Sequence, residues 1–521
     1  MNIGDALRRT ARNYPDRIGL IDKYGKHTTV DAPYTWKELN EKVNRLANGL
    51  LALGLKKQDR VGVYSDTRSQ FFIAYHAIVR AGLVLIPLNT AYKGQELTHL
   101  VNDSEPLALI MDADRREEIN QIREDIPSIR YFIGIGKDHG CELDFDSLIR
   151  EHSAEEPDVM VEEEDLSTLL YTSGTTGHPK GAMLTHRNWC FSGILLPAEW
   201  RILPHYKFLS TLAPFFSGGI GFMTSAAFRG FTLVLSDWNT EKVMKIIQEE
   251  KIDYTMFAPA MTSMIVNHPN VHQYDFSSLK RILTSAAPIS PGLLRKASAI
   301  FGDVYTMTYG TSETALGGCQ LYPEDVALEG PKASRITSVG KAMMGMNIRV
   351  VDDEGNDIPW GSDKAGEIVV SGPTVGKAYW KKPEAADLKD GTWYSGDLAR
   401  VDADGYIHIV DRKKDMILSG GANIYPREIE DVLYTHPAVL QAAVIGVPNE
   451  QWGESVKAII VLKEGAQTTE AEITEYCRKY LAEYKKPRIV EFREKLPMNP
   501  SGKILKRELR DEHWKGQGRR V

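Results

Sequence analysis

Residues 172–180 combine hydroxyl side chains, two glycines and a lysine directly after an apolar run. Gly174 and Gly177 allow backbone N–H groups to approach an anion, because no Cβ obstructs them. Lys180 adds a mobile positive charge. Hydroxyl donors come from Thr172, Ser173, Thr175 and Thr176. This composition predicts a loop that binds the phosphates of a nucleotide.

The loop departs from the common P-loop pattern, in which Ser or Thr and then a helix follow the lysine. Here Pro179 precedes Lys180, and residues 181–185 read as a short strand. A glycine- and threonine-rich hairpin that binds no ligand is therefore the structural alternative. The loop alone does not distinguish between these two interpretations, so the function has to be inferred from the motifs that follow it in the chain.

Four further motifs follow the loop along the chain. They are Tyr-Gly-Thr-Ser-Glu at 309–313, Tyr-Ser-Gly-Asp at 394–397, Asp-Arg-Lys-Lys-Asp at 411–415 and Pro-Met-Asn-Pro-Ser-Gly-Lys at 497–503. Together with the loop, they resemble the adenylate-forming superfamily, which includes acyl-CoA synthetases, luciferases and the adenylation domains of peptide synthetases. The resemblance covers essentially the whole chain and points to the acyl-CoA synthetase branch.

The resemblance implies an ATP-dependent carboxylate–CoA ligase. A carboxylate and ATP would give acyl-AMP and pyrophosphate, and the CoA thiol would then give acyl-CoA and AMP. Because the attacking carboxylate and the α-phosphate are both negative, the first step needs cations and hydrogen-bond donors where charge accumulates. The expected small molecules are the carboxylic acid, ATP, Mg²⁺ and CoA.

The resemblance also implies roles for the motif residues. Glu313, with Thr172, would hold Mg²⁺ against the phosphates, a usual arrangement for this ion. Tyr309 would stack on adenine, Asp397 would accept the ribose hydroxyls, and Arg412 would donate to the ribose or a phosphate. The full set expected to bind ATP or AMP is Thr172, Ser173, Gly174, Thr175, Thr176, Gly177, Lys180, Ser285, Ala286, Ala287, Tyr309, Gly310, Thr311, Ser312, Asp397 and Arg412. The structural alternatives are a surface acid for Glu313, a turn cap for Asp397 and a salt bridge for Arg412.

Lys503 is the most consequential assignment. By resemblance, it reaches from the C-terminal domain to the junction of the carboxylate and the α-phosphate, and is catalytic together with Glu313. Lys414 falls at the hinge about which that domain would rotate between the two reactions. The positions expected to contact CoA are Gly420, Gly421, Trp452, Tyr484 and Lys486. The alternatives are solvated lysines at 503 and 486 and a packing role for Trp452.

The acyl pocket is expected along residues 215–222, 258–264 and 315–319, which contain no Arg, Lys or Asp. We therefore expect an apolar monocarboxylic acid: a medium- or long-chain fatty acid first, an aromatic or alicyclic acid next. Ser217 stands where many acyl-CoA synthetases carry a histidine, which weakens any analogy. The glycines either widen the pocket or serve packing. The expected pocket residues are Phe216, Ser217, Gly218, Gly219, Ala260 and Gly317.

Length and composition exclude several classes of protein. A chain of 521 residues needs more than one hydrophobic core, and a net charge of −7 gives no basis for binding nucleic acid. The four cysteines form no CxxC pair, which argues against a disulfide scaffold or a zinc site. No signal peptide or membrane-spanning run is evident. We expect a cytoplasmic protein without a transmembrane segment; a homodimer is compatible with the sequence.

The elements that must position these motifs read as an α/β protein. Alternating strands and helices predict two helix-covered, mostly parallel sheets, followed by short strands of a small β-barrel and a small mobile α+β domain. We expect a large AMP-binding domain at 1–410, with subdomains at about 1–160, 166–330 and 335–410. A hinge at 411–415 and a C-terminal domain at 416–521 would follow.

Two other functions compete with the CoA ligase. The first is a stand-alone adenylation enzyme that loads the pantetheine thiol of a carrier protein. The second is a nucleotide-sensing or scaffold protein, which would require the loss of catalytic groups. Because Glu313, Asp397, Arg412 and Lys503 are all present, the scaffold ranks last.

Overall fold

The computed structural model describes residues 1–26, 33–172, 179–285, 289–420, 422–498 and 504–514. The chain divides into two compact units, and the first comprises Met1–Ile336, Gly340–Ile348 and Val370–Tyr394. The second comprises Thr337–Val339, Arg349–Val369 and Ser395–Val521. The sequence analysis assigned residues 349–369 and 395–410 to the large domain, whereas here they belong to the second unit together with the C-terminal residues. The hinge at 411–415 stays a prediction.

The first unit is an alternation of helices and strands. Its first half contains α1 (Ile3–Asn13), β1 (Ile18–Tyr24), β2 (Tyr34–Thr35), α2 (Trp36–Ala52), β3 (Arg60–Tyr64), α3 (Ser69–Arg80), β4 (Val84–Pro87), α4 (Gly94–Ser104), β5 (Ala108–Asp112), α5 (Arg116–Ile122), β6 (Tyr131–Ile135), β7 (Leu143–Asp144) and α6 (Phe145–Glu151). Its second half contains β8 (Leu166–Thr172), β9 (Lys180–Thr185), α7 (His186–Glu199), β10 (Lys207–Ser210), α8 (Ser217–Arg229), β11 (Thr232–Ser236), α9 (Thr240–Glu250), β12 (Tyr254–Phe257), α10 (Pro259–Val266), β13 (Arg281–Thr284), α11 (Pro291–Phe301), β14 (Tyr305–Tyr309), β15 (Cys319–Leu321) and β16 (Lys341–Ala342).

The remaining elements belong to the rest of the chain. They are β17 (Asn347–Val351), β18 (Gly366–Ser371), β19 (Leu388–Lys389), β20 (Thr392–Val401), β21 (Ile407–Arg412), β22 (Ile417–Ser419), β23 (Ala422–Ile424), α12 (Pro426–Thr435), β24 (Val439–Asn449), β25 (Gly453–Leu462), α13 (Glu470–Tyr480), β26 (Ile489–Phe492) and α14 (Lys506–Trp514). Short 3₁₀ turns lie at Ala113–Arg115, Arg123–Asp125, Val271–Gln273, Pro323–Asp325, Ala333–Thr337 and Glu483–Lys485. The division between the units passes through β17, β18 and β20.

Two large sheets organise the first unit. The seven-stranded sheet has the order β7-β6-β5-β3-β4-β8-β9 and is parallel except for the β8–β9 hairpin. The nine-stranded sheet has the order β16-β15-β14-β13-β12-β10-β11-β1-β2 and is antiparallel only at its two edges. Strands β4, β5 and β11 are buried along their whole length and mostly apolar, as strands of covered parallel sheets are. The prediction of two mostly parallel, helix-covered sheets is confirmed.

The second unit contains an α+β tail built on a sheet with the order β23-β22-β25-β24, with β26 beside β25. Side chains alternate along β24, so Ala442 and Val444 pack under helices α12 and α13. Ala443 and Ile445 pack on the other face against Leu509 of α14. The strands predicted as a small barrel form a sheet with the order β17-β18-β20-β19 and β21 beside β20. Among the residues described, none of the helices has the length and hydropathy that a membrane span requires.

Helix α3 is buried along almost its whole length, because it contacts β1 of one large sheet and β3 and β4 of the other. His76 lies in the middle of this helix, beside the rings of Phe72 and Tyr75. Its ring is fully buried. Burial lowers the pKa of His76 to about 3, and the charge of Arg80 acts in the same direction.

We predict that the stability of the fold decreases as the pH falls below about 6.5. The unfolded chain takes up a proton on His76 near that pH, whereas the folded chain does not until about pH 3, so the unfolded state binds more protons. His76→Leu should fold and should lose less stability between pH 7 and pH 5. The control is His272→Leu, at an exposed histidine. Unfolding midpoints at both pH values measure the effect, and an unchanged difference in His76→Leu would contradict it.

Candidate active site

The predicted phosphate loop connects β8 and β9, which pair in antiparallel fashion up to Thr172 opposite Lys180. The strand β8 enters from a parallel sheet, so the loop begins at the carboxyl end of a parallel strand, where ligands of α/β proteins commonly bind. Ser173, Gly174, Thr175, Thr176 and Gly177 lie outside the described residues. Their contacts with phosphate stay predictions.

Lys180, at the start of β9, is held between a carboxylate and an aromatic ring. Its Nζ lies 2.8 Å from Oδ2 of Asp387 and 4.7 Å from the centre of the Tyr379 ring. The lysine side chain is 13% exposed and that of Asp387 is 41% exposed. Ion pairs open to solvent contribute little to stability, so phosphate can compete with Asp387 for this lysine.

Glu313 lies in a tight turn after β14 and is buried. Its Oε1 accepts a hydrogen bond of 3.1 Å from the hydroxyl of Tyr379. Its carbonyl accepts a hydrogen bond of 2.7 Å from the N–H of Gly376. The turn folds back so closely that a Cβ on Gly310 would overlap the backbone of Leu316, which explains the glycine in the motif.

Residues 377–380 bring Tyr379 to this place because they pair with β9. The N–H of Met183 donates to the carbonyl of Ala378 (2.9 Å), and the N–H of Trp380 donates to that of Gly181 (2.8 Å). The indole N–H of Trp380 also donates to the carbonyl of Asp103 at 2.9 Å. Sequence reasoning missed Tyr379 and Asp387; the only signal was an aromatic pair at 379–380 in a stretch read as turns and short strands.

The remaining nucleotide residues of the first unit gather at one edge of the nine-stranded sheet. Ser285 directly follows β13 and Tyr309 ends β14, and these parallel strands are neighbours. Gly310, Thr311 and Ser312 continue from there. The hydroxyl oxygens of Thr308 and Thr311 are buried without a hydrogen-bond partner, a state that a ligand at this edge would relieve. Ala286 and Ala287 lie outside the described residues.

The oxygen donors present fit a magnesium ion that is bound together with phosphate. Glu313 offers a carboxylate and Thr172 a hydroxyl, which are hard ligands. Among the residues the structure describes, no group of three or more His, Cys, Asp or Glu side chains could hold a metal. A metal at Glu313 would therefore take most of its ligands from phosphate oxygens and water, as Mg²⁺ does in nucleotide sites.

In the second unit, Asp397 and Arg412 lie opposite each other on β20 and β21. The Nε of Arg412 is 2.8 Å from Oδ1 of Asp397. The structure thus brings the predicted ribose carboxylate and its neighbouring cation together. The salt bridge that the sequence analysis weighed as an alternative for Arg412 is present, and the role of both residues toward the ribose stays a prediction.

Partly buried hydrogen bonds hold the motif at 411–415 in place. Asp411 accepts bonds from the N–H groups of Arg412 (2.7 Å) and Arg427 (2.9 Å). Burial raises the pKa of Asp411 to about 6, although the charge of Lys506 opposes this. Lys414 lies in the turn after β21, and its carbonyl accepts a bond of 3.3 Å from Arg510.

Helix α14 supplies two cations to the same cluster. Arg510 forms an ion pair with Asp415, and Nζ of Lys506 lies 2.7 Å from Oε1 of Glu430. Burial opposes the charge on Lys506, but Glu430 and the two aspartates outweigh it and raise its pKa. Residues 499–503, which include Lys503, lie outside the described residues.

Two of the predicted CoA residues are in contact. The N–H of Gly420 donates to the carbonyl of Trp452 at 2.8 Å, and the guanidinium of Arg488 lies 5.1 Å from the centre of the Trp452 ring. Tyr484 is exposed, and Lys486 forms an ion pair with Glu483. Gly421 lies outside the described residues. The sequence analysis did not identify Arg488 as a neighbour of Trp452, because Arg488 belongs to none of the motifs.

The structure favours packing for the glycines of the predicted acyl pocket. A Cβ on Gly218 would lie 2.7 Å from Leu212, and one on Gly221 would lie 2.5 Å from Leu316. A Cβ on Gly317 would overlap the side chain of Thr374. Phe216 caps α8 and Ser217 begins it, both half-buried, whereas Ala260 on α10 is exposed. Neighbouring atoms, rather than open space, therefore occupy the places of the missing side chains.

Comparisons with known proteins agree with this arrangement. The family model described as AMP-binding enzyme matches residues 7–380, and that for the AMP-binding enzyme C-terminal domain matches residues 428–503. A feruloyl-CoA synthase of an Amycolatopsis species is 37% identical over 91% of this chain and 93% of its own. The long-chain-fatty-acid–CoA ligase FadD13 of Mycobacterium tuberculosis is 33% identical over 98% of each chain. The solved anthranilate CoA ligase AuaEII in complex with anthranoyl-AMP has a TM-score of 0.88 at 26% identity, covering 98% of this chain and 97% of that one.

The packing role of the pocket glycines can be tested by adding a methyl group. In Gly219→Ala the new Cβ would lie 2.7 Å from the carbonyl oxygen of Ala213 and from Cα of Pro214, so we expect a loss of about 1–3 kcal/mol in the free energy of unfolding. Gly292→Ala is the matched control, because this glycine of α11 has no atom within 4 Å of the added Cβ. The control should be neutral or slightly stabilising. Equal denaturation midpoints for the two variants would contradict packing at Gly219.

Proposed function

Because this chain belongs to the AMP-binding enzyme family, we propose that it is an ATP-dependent acid–CoA ligase that works through an acyl-adenylate. The observation that carries the proposal is the arrangement around Tyr379. One cation, Lys180, lies over the face of the Tyr379 ring, and one buried carboxylate, Glu313, accepts a hydrogen bond from its hydroxyl. This arrangement offers a positive charge to phosphate and a hard ligand to a magnesium ion.

The first half-reaction joins the carboxylate to the α-phosphate. Its barrier is largely electrostatic, since two negative groups must approach, and fixed cations aimed at the developing charge lower it. We propose that Lys180 and the hydroxyls of the loop hold the β- and γ-phosphates, which leave as pyrophosphate. Lys503 would stabilise the charge at the junction of the carboxylate and the α-phosphate.

We propose that Glu313 and Thr172 hold the magnesium ion. The ion would neutralise charge on the phosphate oxygens as pyrophosphate departs. Glu313 is suited to this role because its position is fixed by Tyr379 through the carboxylate and by Gly376 through the backbone. Tyr309 and Ser285, at the ends of neighbouring strands, would flank the adenine, and Asp397 with Arg412 would bind the ribose.

The second half-reaction transfers the acyl group to a thiol. We propose that CoA approaches along the surface that contains Gly420 and Trp452, after rotation about Lys414. The contact between Gly420 and Trp452 supports a shared surface. Tyr484 and Lys486 remain candidates for the same ligand. Lys503 would have no part in this step, because the proposed rotation about Lys414 would carry the C-terminal domain, and this lysine with it, away from the α-phosphate.

For the acid, we propose an apolar monocarboxylate. The pocket segments carry no basic side chain that could bind a second carboxylate. A fatty acid is the first candidate, supported by the similarity to FadD13. An aromatic acid is the second candidate, which the similarity to a feruloyl-CoA synthase favours.

The acid and the acceptor can be identified in one set of assays. Pyrophosphate release should have a kcat/KM at least about 10-fold higher with fatty or cinnamate-type acids than with a dicarboxylate or an amino acid, and acyl-CoA should form when CoA is present. Stable acyl-AMP with CoA, converted only by a pantetheinylated carrier protein, would instead indicate a carrier-loading enzyme. Absence of turnover with every acid would contradict an acid ligase.

The two half-reactions should depend differently on Lys503. We expect Lys503→Ala to reduce adenylation by at least about 100-fold, because it removes charge stabilisation in the transition state. Formation of acyl-CoA from chemically prepared acyl-adenylate should be spared. Lys495→Ala, at an exposed lysine nearby in the chain, is the control and should retain both activities. Equal losses of both half-reactions in Lys503→Ala would exclude this role.

A further inference from the structure

Tyr379 is fixed more firmly than a loop residue normally is. Only 3% of its surface is exposed. The flanking residues Ala378 and Trp380 are hydrogen-bonded to β9, and the Trp380 indole is anchored to the carbonyl of Asp103. Because the backbone of Tyr379 and the neighbouring Trp380 are both held by hydrogen bonds, the ring is fixed relative to strand β9, on which Lys180 lies.

Two charged groups of opposite sign use different parts of this ring. The ammonium of Lys180 lies over its face at 4.7 Å, where a cation is attracted by the π electrons. The hydroxyl donates to Oε1 of Glu313 at 3.1 Å. The phenolic O–H is the donor of this bond, because an ionised carboxylate only accepts.

The ring gives two groups of opposite charge separate partners. A lysine and a carboxylate in a poorly solvated site form a direct ion pair when they can reach one another. Lys180 instead pairs with the more exposed Asp387, and Glu313 is bonded to the Tyr379 hydroxyl. A direct pair between Lys180 and Glu313 would neutralise both the phosphate-binding cation and the metal-binding carboxylate.

We propose that Tyr379 is a positioning residue that keeps Lys180 available to phosphate and Glu313 available to the metal ion. This inference rests on the proposed function, since it assumes that the site binds ATP with Mg²⁺. Two substitutions separate its two tasks. Tyr379→Phe keeps the aromatic face that Lys180 contacts and removes only the hydroxyl that donates to Glu313. Tyr379→Leu also removes the aromatic face and the spacing.

Binding of ATP, without acid or CoA, tests the proposal in the absence of turnover. Calorimetric titrations with Mg²⁺ and with EDTA separate the metal-dependent part of the affinity from the rest. For Tyr379→Phe we expect the gain in affinity from Mg²⁺ to fall by about 10-fold, the usual effect of losing a partner that orients a metal ligand. Affinity in EDTA should remain within about twofold. For Tyr379→Leu, affinity in EDTA should also fall, because Lys180 can then pair with Glu313.

Tyr274→Phe, which removes a surface hydrogen bond of 3.2 Å from a tyrosine hydroxyl to Glu241, is the matched control and should bind as the unmodified protein does. Unfolding midpoints establish that each variant is folded, and Mn²⁺ bound with ATP, measured by electron paramagnetic resonance, gives an independent reading of the metal site. A Tyr379→Phe variant that keeps the full gain from Mg²⁺, or loses affinity equally with and without it, would overturn the inference. Failure of the unmodified protein to bind ATP would instead overturn the proposed function.

Discussion

The pairing of residues 377–380 with strand β9 is the interaction on which the proposed phosphate site depends. It brings Tyr379, from a part of the chain remote in sequence, into contact with both Lys180 and Glu313. Strand β9, residues 377–380 and the turn of Glu313 all belong to the first compact unit. The spacing of Lys180 and Glu313 is therefore set by backbone hydrogen bonds. Fixed spacing suits the proposed site, because groups that are already in place when charge develops need no reorganisation.

The second unit uses buried charge for a different purpose. Asp411, Asp415, Lys506 and Arg510 lie in one cluster between the 411–415 motif and helix α14. Buried ion pairs are costly to assemble and seldom add stability, but removing one partner is strongly destabilising, so such a cluster defines one arrangement. It fixes the predicted hinge motif to the helix that directly follows Lys503 in the chain. The motif and the start of that helix therefore form part of a single body.

The sequence indicated the fold well because apolar strands and amphipathic helices alternate regularly. The buried strands β4, β5 and β11 lie in such mostly apolar segments. The motif residues were found because their types are unusual at those spacings. Tyr379, Asp387 and Arg488 were missed because each acts through a contact across distant segments, which no local pattern encodes. For the same reason, the sequence could not decide whether the glycines of the predicted acyl pocket widen it or serve packing. The atoms that occupy the places of their missing side chains come from other elements.

The central claim is that the carboxylate itself attacks the α-phosphate of ATP. Turnover of an acid labelled with ¹⁸O in its carboxylate tests this claim most directly, with mass spectrometry of the nucleotide and phosphate products. The account predicts that one labelled oxygen appears in AMP, because the bond between the acyl carbon and that oxygen breaks when the thiol attacks. Label in inorganic phosphate with formation of ADP, or unlabelled AMP, would contradict it.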